Sequence, residues 1–82
     1  MGEKLLTVNK QKIDLQGARY YETLREALEP SNKGKIVAIN PDNGEYFLGQ
    51  TVLEAVKKGR EKYPECVFYI AKVGYPTVYR FH

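Results

Sequence analysis

The run over residues 66–73 (CVFYIAKV) constrains the fold most, because its apolar residues fall on both parities. A strand sends successive side chains to opposite faces, so a strand here is apolar above and below its sheet. Residues 77–81 (TVYRF) read as its antiparallel neighbour across Gly74-Tyr75-Pro76. With Gly74-Tyr75 as the turn, Phe68 and Ile70 share one face with Tyr79 and Phe81. Val67, Tyr69, Ala71 and Val73 then share the other with Val78 and Arg80.

Upstream, residues 35–40 (KIVAIN) are rich in β-branched side chains, and Pro41-Asp42-Asn43-Gly44 combines residues that pre-set or tolerate turn dihedrals. Residues 45–49 (EYFLG) complete a hairpin, again with apolar side chains on both sides of its first strand. The oxygen-bearing turn resembles a fragment of a calcium loop, but it lacks the alternating ligands and the distal Glu, so a plain turn is expected.

Two segments carry helical periodicity. Tyr20, Leu24, Ala27 and Leu28 form one stripe of a helix expected over residues 18–29, begun after Gly17 and ended by Pro30. A second helix is expected over 52–63, opened by a capping box of Thr51 and Glu54 and closed by Pro64. Its inner stripe is Val52, Ala55, Val56, Gly59 and Tyr63, with Glu54 and Lys58 paired on the outer side. Residues 5–15 alternate apolar and polar groups in a way that suits two short strands around a turn, or an extended arm. The expected order is (β-β)-α-β-β-α-β-β, an α+β domain whose antiparallel sheet has its helices on one face. Two short helices cover one face of such a sheet, so the second face calls for the N-terminal segment, another subunit or a ligand.

Eighty-two residues make one domain, 1–82, with 43% apolar and 28% charged residues as in an ordinary globular protein. No run reaches the roughly 20 apolar residues of a membrane span and no signal-peptide pattern opens the chain, so a cytoplasmic, non-membrane location is expected. The inventory is poor in catalytic chemistry: one His, one Cys, one Ser and no Trp. His82 is terminal and Ser31 lies in a linker, so no Ser-His-Asp arrangement can be assembled. One Cys and one His cannot supply the four ligands of a structural zinc, and Cys66 reads as a small core residue. Neither a cofactor nor a metal is expected, and the chain is expected not to be an enzyme.

Net charge +3 permits a polyanion partner, and Lys57, Lys58, Arg60 and Lys62 gather on the second helix. Glu54, Glu61 and Glu65 interrupt or flank that cluster, which favours a solvated face over a nucleic-acid site. GYPTVYRF departs from the RNA-recognition signature, with Val73 where a basic residue is wanted and Pro76-Thr77 replacing the small residue and Phe.

The helix Tyr21-Glu22-Thr23-Leu24, the hairpin KGKIVAINPDNGEYFLG and the ending VGYPTVYR together resemble a widespread family of small, uncharacterised prokaryotic proteins over about residues 20–81. Genes of that family often lie beside those of retroviral-type aspartic proteases, so the resemblance implies such a protease as a possible partner; it carries over no catalytic residue. A weaker likeness is to HicB-type antitoxins, on Gly49-Gln50-Thr51 and Glu54-Ala55-Val56, without that family's Phe-Pro-Asp-Leu-Pro-Gly stretch. The function expected from the sequence is a non-enzymatic protein-interaction module, a homodimer formed through a sheet face or an edge strand. Phe68, Tyr69, Tyr79 and Arg80 are its candidate contacts. The alternative is a nucleic-acid-binding or antitoxin-like regulator using Lys57, Lys58, Arg60 and Lys62.

Overall fold

The computed structural model describes residues 10–75 and the strand at 78–81, with side chains described for 15–75. Its elements are α1 (Lys10–Asn32), β1 (Ile36–Ile39), β2 (Tyr46–Gly49), α2 (Val52–Lys62), β3 (Phe68–Lys72) and β4 (Val78–Phe81). The strands form one antiparallel sheet in the order β2-β1-β3-β4. The fold is therefore α+β, and the register pairs Phe68 with Phe81, Tyr69 with Arg80, Ile70 with Tyr79 and Ala71 with Val78. That is the register expected from the Gly74-Tyr75 turn, with Gly74 at φ +85 and the Tyr75 N–H donating to Lys72 O at 3.0 Å.

Two expectations fail together. The N-terminal strand pair is absent over residues 10–15, which are helical; the remainder of that pair lies outside the described residues. Neither Gly17 nor Pro30 stops α1, which runs for 23 residues. Gly17 is buried because α1 crosses β3 there: a Cβ on it would lie 2.2 Å from Tyr69 Cγ. Helical glycine costs about 1 kcal/mol against alanine, and here that penalty permits a close helix–sheet approach. Pro30 sits in the last turn, where the lost N–H bond and the crowding of the Glu26 carbonyl leave only two helical residues beyond the proline to disturb. Gly34 at φ +90 then redirects the chain into β1. The stripe of α1 keeps the expected Leu24 and Leu28, adds Gly17 and Tyr21 as buried members with Tyr20 half-buried beside them, and loses Ala27, which is exposed.

The helices lie on opposite faces of the sheet, and this corrects the expectation of a one-sided layer. α1 packs Tyr21, Leu24 and Leu28 over Val37, Ile39, Tyr69, Ala71 and Val73. α2 packs Ala55 and Val56 over Ile36, Ala38, Phe68 and Ile70. The doubly apolar strands are thus explained within the chain, by a helix on each side. Among the described residues no helix is long and apolar enough to cross a membrane.

Candidate functional site

β3 carries two of the four candidate contact residues, and the structure withdraws both from the surface. Phe68 is fully buried under α2, where a Cβ on Gly59 would come within 2.5 Å of its Cζ and the Phe47 ring meets it edge-on at 6.0 Å. Tyr69 is buried under α1. Both are core residues, so neither sheet face at β3 is open to a partner through them. Tyr79 and Arg80 lie in β4, where only the backbone is described.

The backbone ladder decides what the sheet edges offer. The Asn40 N–H donates to Glu45 O at 2.8 Å, which makes 40 and 45 a hydrogen-bonded pair. Bonded and non-bonded pairs alternate in an antiparallel ladder, so Ala38 bonds to Phe47 and Ile36 to Gly49, while Val37 and Ile39 bond to β3. The alternation carries on to Phe68–Phe81 and Ile70–Tyr79. Tyr46 and Leu48 on β2, and Val78 and Arg80 on β4, then turn their backbone groups away from the sheet.

The β2 edge is closed in part by α2, because Lys58 Nζ donates to the outward Leu48 carbonyl at 2.7 Å. Lys58 takes that carbonyl in place of the expected pairing with Glu54. The Glu54 carboxylate instead accepts the Gln50 N–H, while Thr51 Oγ1 accepts the Glu54 N–H at 3.1 Å, a capping box displaced by one residue on its return bond. No described strand lies beyond β4.

The basic cluster of α2 divides when it folds. Lys62 Nζ pairs with Glu45 Oε2 at 2.8 Å, and the Tyr63 hydroxyl donates to Glu45 Oε1 while accepting from Asn43 Nδ2 at 3.0 Å. Hydrogen bonds from Lys62 first and Tyr63 second hold the Glu45 carboxyl below its ordinary range, and the same carboxylate raises Lys62. Lys58 and Lys62 therefore face β2. Lys57 and Arg60 face the other way, where with Leu53, Val56 and Glu61 they line a groove of about 550 Å³. The four cations do not form a single positive face. Cys66 is half-buried, and burial pushes its thiol up to about 11, with the Asp42 charge adding and Arg60 opposing. That raised value keeps the thiol protonated at neutral pH.

The Asp42 turn is built from side chains that replace backbone partners. Asn40 Oδ1 accepts the Asp42 N–H and Asn43 Oδ1 accepts the Glu45 N–H, each at 2.9 Å, with Gly44 at φ +82. Among the described residues no group of three His, Cys, Asp or Glu could hold a metal.

A basic and aromatic constellation that sequence reasoning did not find lies at the opposite end of the sheet. Lys33, Lys72 and Tyr75 meet there, with the Lys72 and Lys33 ammonium groups 4.8 and 6.0 Å from the Tyr75 ring centroid. Only the pairing of β1 with β3 brings residue 33 to residues 72 and 75, so no local spacing announces it. No protein-family model, curated protein or solved structure matches the chain.

Proposed function

We propose that this chain is a non-enzymatic protein-interaction module that self-associates by pairing the outer edge of β4 with β4 of a second copy. The observation that carries this reading is the asymmetry of the two sheet edges. Both faces are packed by the chain's own helices, and the outward carbonyl of β2 at Leu48 is occupied by Lys58. β4 has no described strand beyond it and turns the backbone groups of Val78 and Arg80 outward. An edge of this kind is a template for another strand. Antiparallel pairing of two β4 strands would join two sheets into one continuous sheet, an isologous contact of the kind most homodimers use.

Size-exclusion chromatography with light scattering tests the proposal on the full chain. A mass of twice 9.4 kDa is expected, and Arg80→Pro, which removes one outward donor at a position an edge strand tolerates, should return the monomer. A wild type that stays monomeric throughout the accessible concentration range overturns it. So does an Arg80→Pro variant that remains dimeric and folded.

A further inference from the structure

We infer that the corner formed by Lys33, Lys72 and Tyr75 is a binding site for single-stranded nucleic acid, with Tyr75 as a base platform and the two lysines as phosphate contacts. The sheet builds this corner. Gly34 N–H donates to Val73 O at 2.8 Å and Val73 N–H to Lys35 O at 2.9 Å, which lays the end of α1 beside the end of β3. The turn that follows is held from α1, since the Tyr21 hydroxyl donates to Lys72 O at 3.5 Å and accepts the Gly74 N–H at 3.3 Å.

The positions of both lysines follow from this scaffold. Gly74 is the point of close approach: a Cβ there would lie 2.7 Å from Lys33 Cγ, so the Lys33 stem crosses the turn beside the Tyr75 ring. Lys72 reaches the same ring from β3. Neither lysine has a carboxylate partner among the described residues; each is held by a ring, which gathers ammonium groups without neutralising them. Two like charges brought to one ring repel each other, and a phosphate relieves that repulsion. Tyr75 itself is 46% exposed, and a stacking base would take the place of an ammonium group on its ring, freeing that lysine for a phosphate.

Glu22 and Glu29 line a cleft that Tyr75 also lines. They bracket Arg25 at 3.5 and 3.8 Å, along this cleft of about 310 Å³ between α1 and the Tyr75 turn. Arg25 offsets one of those two charges, and the lysines leave the corner positive as a whole. An aromatic platform with flanking cations is the recurrent means of holding a single strand without reading its sequence. Two separate phosphate contacts beside one base suit a chain of nucleotides better than a lone anion. The site shares no residue with the β4 edge or with the basic residues of α2.

Fluorescence anisotropy of labelled single-stranded RNA and DNA oligonucleotides, titrated with the full-length protein at low salt, tests this. Binding is expected, with Tyr75→Leu weakening it about tenfold. The double variant Lys33→Gln, Lys72→Gln should weaken it and flatten the log–log salt dependence by about 1.4, the value for two phosphates of a single strand. Circular dichroism checks that each variant keeps its fold, as expected with Lys33 and Tyr75 exposed and Lys72 half-buried. Absence of wild-type binding at low salt overturns the inference. It is also overturned if Lys57→Gln with Lys58→Gln costs as much as the corner variants, which would return the site to α2. Equal displacement by polyglutamate or by inorganic phosphate overturns it as well, because either would show a general anion site with no role for the ring.

Discussion

The two faces of the sheet are packed by different means. On the α2 face a short, well-capped helix covers a set of interlocking aromatic rings: Phe68 is met edge-on by Phe47 at 6.0 Å, and Phe47 in turn by Tyr63 at 6.3 Å. On the α1 face a helix twice as long is brought close at one glycine, so that Tyr69 fits against backbone at Gly17. The first face gains stability from ring packing, with close approach at Gly59 to the Phe68 ring and at Gly49 to the α2 backbone. The second sets its helix glycine, Gly17, against the base of Tyr69 at 2.2 Å, where α2 sets Gly59 against the far end of the Phe68 ring at 2.5 Å. A ring tip gives way to an added methyl more readily than the base of a side chain, so the α1 face is expected to tolerate its glycine's replacement less well.

The largest effect expected from this contrast is at Phe68, whose ring is fully buried. Phe68→Ala should destabilise by about 3–5 kcal/mol, since the transfer term and the cavity left beneath α2 add together. For a domain of this size that is most of the available stability, so urea denaturation should find the variant largely unfolded without denaturant. A midpoint close to that of wild type would mean that α2 settles into the hole and that this face is not a packed core.

Gly17→Ala comes next and sharpens the comparison, because helix propensity and packing predict opposite signs. Propensity alone makes alanine better by about 1 kcal/mol. The new Cβ would lie 2.2 to 2.4 Å from Tyr69 Cγ, Cβ and Cδ2, atoms at the base of the side chain that cannot swing away. Net destabilisation of about 1–3 kcal/mol is expected. Gly59→Ala, which meets the far end of the Phe68 ring at 2.5 Å, should cost less. Thermal unfolding of the two variants side by side reads the difference, and a more stable Gly17→Ala protein would show that α1 does not approach β3 so closely.

The same contrast explains what could be read in advance. α2 was legible because its signals are local: Thr51 and Glu54 at its start, Pro64 beyond its end and an inner stripe of Ala55, Val56 and Gly59. The hairpin and the β3–β4 register were legible for the same reason, being set by turn residues and a period of two. α1 was misread because Gly17 and Pro30 are breakers by propensity, and tertiary packing overrides both. With both helices expected on one sheet face, the other calls for the N-terminal segment, another subunit or a ligand, whereas each face has its own helix. The candidate sites suffered in proportion: proximity in sequence put Lys57, Lys58, Arg60 and Lys62 together, and helical geometry then split them between two sides. Lys33, Lys72 and Tyr75 carry no sequence signal at all, since only strand pairing joins them.

The smallest expected effect lies at the edge of the α2 face, where Glu45 ties the hairpin to the end of the helix. Its carboxyl is held below the ordinary value of 4.5 by Lys62 and Tyr63, and Lys62 is raised above its ordinary 10.5 by Glu45. For the carboxylate, a lowered folded value means that the stabilisation is complete above about 4.5 and is lost as pH falls through the folded value. For the ammonium, a raised folded value means that the stabilisation is complete below about 10.5 and is lost as pH rises through the folded value. The pair therefore contributes between those limits, and salt should weaken it because Lys62 is exposed and Glu45 only half-buried. Glu45→Gln should lower the thermal midpoint slightly at neutral pH and low salt, and match wild type at a pH well below 4. A Glu45→Gln midpoint that tracks wild type at every pH would show that ring packing alone holds the hairpin to α2.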